Sequence, residues 1–394
     1  MTRNASQARL CVESRPVAMT APSKEQSGEA TTPEILDFQG QLAAFRTQLD
    51  VYLRNWMVQR KKRAIDVATE GVDLVECVEI LIRSGGKRIR PAIVWHTHQA
   101  CGGRHQESAW YLALACELLH SYLLVHDDIM DHAEQRRGTE TPHARFARIH
   151  RLNGWHGDPE AYGRSVAIMV GDLAWSWAAE CADRAFTALD EGAASKLSAL
   201  FFGMSEEVIW GQHLEMRAAA RRIAIGEDLA RILRLKSGLY SVQRPIQLGA
   251  RLANAPEDLR NDLARYGSAL GEAFQLQDDL LGMFGDPGTV GKPVGGDLQE
   301  GKFTFLIHHG LHLASESDQQ LIRERLGNEA LTDSELEETC GILSKCGARD
   351  AVREMISSRL DVATESLTKV VGQLTPEGRT FFEGLVAYLG DRDR

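Results

Sequence analysis

Residues 110–130 are apolar on nearly every side, yet the run ends in carboxylates: Glu117-Leu-Leu-His120-Ser-Tyr122-Leu123-Leu-Val-His126-Asp127-Asp128-Ile-Met-Asp131. A stretch this uniformly apolar reads as a helix packed in the middle of a domain, because a surface helix keeps one polar face. On such a helix Asp127 and Asp131 are i,i+4 neighbours and Asp128 is i+3 from Asp131, so all three point to roughly one side. Like charges this close repel and raise one another's pKa, so the cluster is costly unless cations neutralise it. Oxygen-only ligands suit Mg²⁺, which binds through one or two carboxylates and shares the rest of its shell with water and substrate phosphates. The plainer alternative is a solvated acidic helix end.

A second run of the same kind lies far downstream, Phe274-Gln275-Leu-Gln277-Asp278-Asp279-Leu-Leu-Gly282, again at the end of an apolar helical stretch. Two facing aspartate clusters clamp several Mg²⁺ ions around one diphosphate and place positive charge where a leaving group becomes more negative. The pair is far more specific than either half.

The rest of the composition narrows the class. The chain has 394 residues, 43% of them hydrophobic and 25% charged, which is ample for one large soluble domain with tails. A net charge of −10 argues against a nucleic-acid surface, and the basic stretches at 60–63 and 217–222 read as solvated helix faces. Seven scattered cysteines show no metal-ligand pairing and read as reduced thiols of a cytoplasmic protein. No run is expected to reach the roughly 18 to 20 apolar residues of a membrane span.

In chain order, residues 1–34 are rich in Ser, Thr, Ala, Glu and Pro without a hydrophobic period, and are expected to be a disordered tail ahead of a domain at 35–394. Residues 33–63 carry a helical apolar period, and a short helix at 72–82 leads into Gly85-Gly86-Lys87-Arg88. This is no nucleotide-binding P-loop, since Leu81 stands where that motif needs Gly and Arg88 where Ser or Thr should follow the Lys. Residues 138–163 read as a linker with one short helix, and the absence of proline from 160 to 244 permits three long helices broken near 190–192 and 223–227. Strand alternation is hard to find, so the expected fold is all-α. Gly and Pro make 286–301 a loop after the second cluster. His308, His309 and His312 lack carboxylate or Cys partners and stay out of the candidate site.

With these motifs in order, the chain resembles the trans-isoprenyl diphosphate synthases of the polyprenyl synthetase family. The resemblance rests on Gly86-Lys87-Arg88-Ile-Arg90-Pro91, the first aspartate cluster, Arg136-Arg137-Gly138, Gly171-Asp172, Gly211-Gln212, Lys236-Ser237, the second cluster, and Gly291-Lys292 running to Asp297-Leu-Gln-Glu300-Gly-Lys302. It implies a single large helical bundle around a central cavity. The implied reaction is ionisation of an allylic diphosphate, attack on the cation by the double bond of isopentenyl diphosphate, and loss of a proton. It also implies three Mg²⁺ per site and a homodimer.

The resemblance likewise assigns roles. Asp127, Asp131 and Asp278 resemble the metal ligands, with Asp128 and Asp279 beside them. Arg136, Lys236 and Lys292 match the allylic diphosphate site, Lys302 closes the loop after the second cluster as a further phosphate-binding residue, and Lys87, Arg90, His120 and Arg137 match the isopentenyl diphosphate pocket, where Arg supplies planar bidentate donors. Ser237 and Gln275, with Lys236, match positions facing the cation. Gly282 departs from the third aspartate of the second motif, Glu215 stands where many members have Asp, and Leu306 where many have Pro.

Product length in the family is set below the first aspartate cluster. Tyr122, followed by Leu123, lies about 7.5 Å deeper than Asp127 at about 1.5 Å per residue and is expected to floor the tunnel at geranylgeranyl diphosphate. The bland reading of Tyr122 is a core aromatic, and farnesyl diphosphate is the second candidate product. A terpene cyclase would carry a different second metal motif and no isopentenyl pocket. A non-catalytic partner subunit of another prenyl synthase would have no need of both clusters.

Overall fold

The computed structural model describes residues 37–285 and 295–390, so the expected tail at 1–34 and most of the loop holding Lys292 lie outside the described residues. Helix α1 (Phe38–Val67) starts where Asp37 accepts the Gly40 N–H at 2.7 Å, and buries Phe38, Leu42, Phe45, Leu49 and Leu53 at helical spacing. It is followed by α2 (Val72–Arg83), matching the expected short helix, and by α3 (Ile89–Ala100).

The apolar run forms α4 (Gln106–Met130), with Asp131 at its C-terminal cap. Leu112, Leu114, Leu118 and Leu119 have no exposed surface, as the sequence demanded. By length and composition alone α4 could cross a membrane, contrary to the expectation that no stretch would, but 72% of its most apolar window is buried inside the domain. Its principal partner is α6 (Pro159–Thr187), whose buried Ala167, Gly171, Ala174 and Ala178 are small enough for close helix packing. At Gly171 a Cβ would sit 2.8 Å from the His126 ring of α4, which explains why glycine stands there.

Between α4 and α6 the linker holds α5 (Pro142–Leu152) and an unanticipated ribbon, β1 (Gln135–Arg136) paired antiparallel with β2 (Thr139–Glu140). Its two-residue turn is Arg137-Gly138, both at positive φ (52° and 71°), the geometry of a tight hairpin. Four paired residues are too few to leave an alternating pattern. Otherwise the described residues are helical or connecting, and the all-α expectation is met.

Helix α7 (Glu191–Arg221) and α8 (Gly226–Ile232) follow, with breaks where expected. The third expected helix continues as a π-helix, Leu233–Gln243, before α9 (Arg244–Leu252) and α10 (Glu257–Phe284). Two neighbouring glycines allow this wide turn: a Cβ at Gly211 of α7 would lie 2.3 Å from the Lys236 nitrogen, and one at Gly271 of α10 the same distance from the Gly238 carbonyl oxygen. Gly271→Ala is therefore expected to push the π-helix off its seat. Overpacking of this kind costs about 1–3 kcal/mol, so thermal melts should show a lowered Tm, with turnover falling further because Lys236 and Ser237 move. Gly203→Ala on α7, where a Cβ meets nothing within 4 Å, is the control and should change neither.

Beyond the second cluster come α11 (Gly296–Gln299), α12 (Phe305–Leu313), α13 (Glu316–Arg325), α14 (Asp333–Lys345), α15 (Ala348–Val370) and α16 (Pro376–Gly390). A continuous core of Leu276, Leu280, Leu306, Ile307, Ile322, Leu343 and Val352 ties this half to α10. The six described cysteines form no disulfide, and burial pushes the Cys77 thiol up to about 11 and that of Cys116 up to about 12.

Candidate active site

The ends of α4 and α10 open into one cavity of about 1580 Å³. From α4 it is lined by Glu117, His120, Leu124, Asp127 and Asp131, residues three or four apart that share one helix face. From α10 come Gln275, Asp278 and Asp279, from the π-helix Lys236, Ser237 and Ser241, from the first turn of α3 Arg90, from the β-ribbon Arg136 and Arg137, and from connecting segments Lys87 and Lys302. In a π-helix each turn is wider and bonds run i→i+5, so Lys236 and Ser241 come to the same wall. Every expected diphosphate- or metal-binding residue within the described region thus faces this cavity except Asp128; Lys292 lies outside that region.

The aspartates are met by cations of the chain itself. Arg136 donates to Asp128 through Nε (2.7 Å) and stands 2.6 Å from it through Nη2, which is also 3.5 Å from Asp127. Asp128 is 1% exposed, so it anchors Arg136 and the hairpin that carries it, a supporting rather than an open position. Lys236 pairs with Glu215 and lies 3.7 Å from Asp127. Lys302 donates to Asp131 at 2.9 Å, lies 3.7 Å from Asp297 and pairs with Glu300, so it joins the first cluster to the segment after the second. Burial disfavours the charge on Lys302, yet Asp297, Asp131, Glu215 and Glu300 together hold its pKa above the ordinary value. Lys236 is raised likewise, Glu215 and Asp127 outweighing burial.

Asp279 is the buried carboxylate of the second cluster. Burial, then Asp297, pushes its pKa well above the usual carboxylate range, and Gln275 Nε2 donates to it at 2.8 Å. Gln275, expected opposite the cation, is here the hydrogen-bond partner of Asp279. The departure at Gly282 also has a cause: a Cβ there would lie 2.9 Å from Asp297 Oδ2. The carboxylate missing from the second motif is replaced in space by Asp297, which reaches the cavity from α11.

A second region of the cavity is basic. Arg137 donates to the Gly85 carbonyl, and a Cβ at Gly86 would stand 3.1 Å from its guanidinium, so the paired glycines make room for an arginine. Arg88, with left-handed backbone at φ 51°, forms a buried ion pair with Glu117 and donates to the Ile82 carbonyl at 2.6 Å. That fixes the junction from which Lys87, before α3, and Arg90, in its first turn, project. Arg90 donates to Ser241 Oγ at 2.7 Å, and its guanidinium carbon lies 4.4 Å from the centre of the Tyr240 ring. His120 is held well below its ordinary pKa by burial and by Arg90, Arg137, Arg136 and Arg88, and is therefore neutral. Arg88, Glu117, Glu215 and Glu300 stand within the sequence motifs without a role of their own, and Tyr240 stands outside them; Glu117, three residues before His120 on the same helix face, offered the clearest signal.

Tyr122 and Leu123 do not line the described cavity. Tyr122 stands five residues from Asp127, about 140° around a helix of about 100° per residue, and turns toward α6. Its ring meets His126 edge-on (4.6 Å between centroids) and Trp175 (5.7 Å), and Trp175 stacks on Phe201.

Among the described residues no three carboxylate, His or Cys side chains converge to enclose a cation alone. Asp127, Asp131 and Asp278 on one polar cavity fit Mg²⁺, which takes few protein ligands and completes its shell with water and phosphate oxygens.

Comparison with known proteins agrees. The polyprenyl synthetase family model matches residues 72–343. A geranylgeranyl diphosphate synthase of Saccharolobus solfataricus is 31% identical over 291 residues, 74% of this chain and 82% of that protein. One from Sulfolobus acidocaldarius is 34% identical over 273 residues, 69% and 77% of the two chains. The crystal structure of geranylgeranyl pyrophosphate synthase from Corynebacterium glutamicum, complexed with isoprenyl diphosphate and magnesium, is 31% identical and covers 91% of this chain and 100% of that one, with a TM-score of 0.83.

Proposed function

The chain belongs to the polyprenyl synthetase family and is a trans-isoprenyl diphosphate synthase; from that membership we propose that it extends allylic diphosphates with isopentenyl diphosphate to geranylgeranyl diphosphate. The observation that carries the site assignment is the pair of aspartate clusters facing one cavity beside a separate basic pocket. The names of the relatives support the twenty-carbon product, and farnesyl diphosphate remains the competing one.

In this reading the allylic diphosphate lies between Asp127 and Asp131 on one side and Asp278 on the other, with Arg136, Lys236, Lys302 and Lys292 donating to its oxygens. Three Mg²⁺ ions, when bound there, supply positive charge to the leaving diphosphate. The ion pairs that Lys302 and Lys236 now make with Asp131, Asp127 and Glu215 are exchanged for phosphate contacts. Isopentenyl diphosphate takes Lys87, Arg90, His120 and Arg137, which hold its double bond toward the cation. Ser237, with Lys236, faces the cationic carbon, and the apolar wall around Leu124 and Phe274 excludes water from it. Residues 35–394 act as one domain.

A homodimer suits Ile168 and Met169 of α6 and Ile209, Trp210 and Met216 of α7, large apolar side chains that are about half exposed. A cytoplasmic location is part of the same reading. The test is incubation with Mg²⁺, isopentenyl diphosphate and, separately, dimethylallyl, geranyl or farnesyl diphosphate, with products separated by chain length. Geranylgeranyl diphosphate is expected from all three primers, and EDTA should abolish it with recovery on excess Mg²⁺. Farnesyl diphosphate as the end product would overturn the length assignment. No product from any primer would favour a non-catalytic partner of another synthase.

A further inference from the structure

Behind the basic pocket lies a residue that no part of the reaction scheme above uses. We propose that Tyr240 is a positioning residue for isopentenyl diphosphate: its hydroxyl fixes His120 as the Nε2–H tautomer and its ring supports the Arg90 guanidinium. The proposal rests on the reading of Lys87, Arg90, His120 and Arg137 as the isopentenyl diphosphate pocket.

Tyr240 is 5% exposed on the π-helix and does not line the cavity, whereas His120 and Arg90 do. Its hydroxyl is 2.8 Å from His120 Nδ1, and the Arg90 guanidinium carbon lies 4.4 Å from its ring centre. The neighbouring Ser241 accepts from Arg90 Nη2 at 2.7 Å, so two consecutive residues of one turn hold His120 and Arg90, Tyr240 from behind and Ser241 from the cavity wall.

The direction of the hydroxyl bond follows from the surroundings. His120 is neutral in its ring of guanidinium groups, so one ring nitrogen donates and the other accepts. Burial raises the phenol pKa, so Tyr240 keeps its proton. Arg90, the cation against its ring, has no acceptor to offer. Were Nδ1–H the donor, the phenolic proton would be left in a buried place without a partner, which costs more than a hydrogen bond contributes. Tyrosine therefore donates to Nδ1, and Nε2 carries the imidazole proton. A phosphate oxygen needs a donor and is repelled by a lone pair, so this tautomer is the one that binds diphosphate. A phenylalanine would keep the ring under Arg90 and release the tautomer.

The experiment compares the full-length wild type with Tyr240→Phe, His120→Gln and the double variant. Tyr240→Phe is expected to raise KM for isopentenyl diphosphate by about 3–10-fold, the range of one net hydrogen bond, and to leave KM for the allylic primer within about twofold. Calorimetric titration with isopentenyl diphosphate should weaken by the same factor. In ¹⁵N-histidine spectra the His120 resonances, assigned by their loss in His120→Gln, should move from the Nε2–H pattern toward a mixed one. On the His120→Gln background the second substitution should add nothing. Unchanged KM and an unchanged tautomer in Tyr240→Phe, or equal rises in both KM values, would overturn the role of Tyr240 while leaving the pocket standing. A wild type that shows no saturable binding of isopentenyl diphosphate overturns the pocket reading, and this inference with it.

Discussion

Replacing Asp127 with Ala should lower kcat by on the order of 10²–10³-fold, the usual cost of removing one preorganised charge-stabilising element from an active site. The magnitude follows from where Asp127 stands. It lies at the C-terminal end of α4, lines the cavity, and has Lys236 at 3.7 Å and Arg136 at 3.5 Å. With the carboxylate gone, Lys236 remains held by Glu215 and Arg136 by Asp128, so the fold should survive with little change in Tm. The loss therefore falls on the leaving diphosphate, and single-turnover rates with saturating substrates should show it directly. A variant that melts as the wild type and turns over within about threefold of it would refute the assignment of Asp127. Asp128→Ala should behave otherwise: it removes the buried partner of Arg136, so stability and activity should fall together.

How much of this was legible in the sequence varies with the physical origin of each feature. α4 was plain because its apolar residues leave no polar face, and the aspartates were plain because carboxylates at the end of such a run need an explanation. The helix breaks near 190 and 223 were readable from Asp190 and Gly226. The π-helix was not, since its cause is tertiary: Gly211 and Gly271 on neighbouring helices leave room for a wide turn, and neither is close to Lys236 in sequence. The exchange of a carboxylate at 282 for Asp297 was hidden for the same reason, the two positions being 15 residues apart. Arg88 and Glu117 are 29 residues apart and declare themselves only as a buried pair. Tyr240 reads as a core aromatic until its hydroxyl is seen against His120.

The placement of Tyr122 changes the argument about product length without removing it. Its ring is not part of the cavity wall; it belongs to a layer with His126 and Trp175, which Phe201 and Phe202 continue. A hydrocarbon tail growing past Leu124 toward α6 would meet this layer, so the barrier is a stack of rings rather than one floor residue. Tyr122→Ala should therefore shift the main product from twenty carbons to twenty-five and longer, read as chain length by chromatography after incubation with farnesyl diphosphate and excess isopentenyl diphosphate. Truncating an aromatic leaves an apolar void that stays dry and accepts hydrocarbon. The free variant should melt lower than the wild type, and long-chain product bound in the void should restore part of that loss. Trp175→Ala separates the layers: if it lengthens the product and Tyr122→Ala does not, the barrier is Trp175 and Tyr122 serves only the packing of α4 on α6. If neither variant lengthens the product, the tail does not run toward α6.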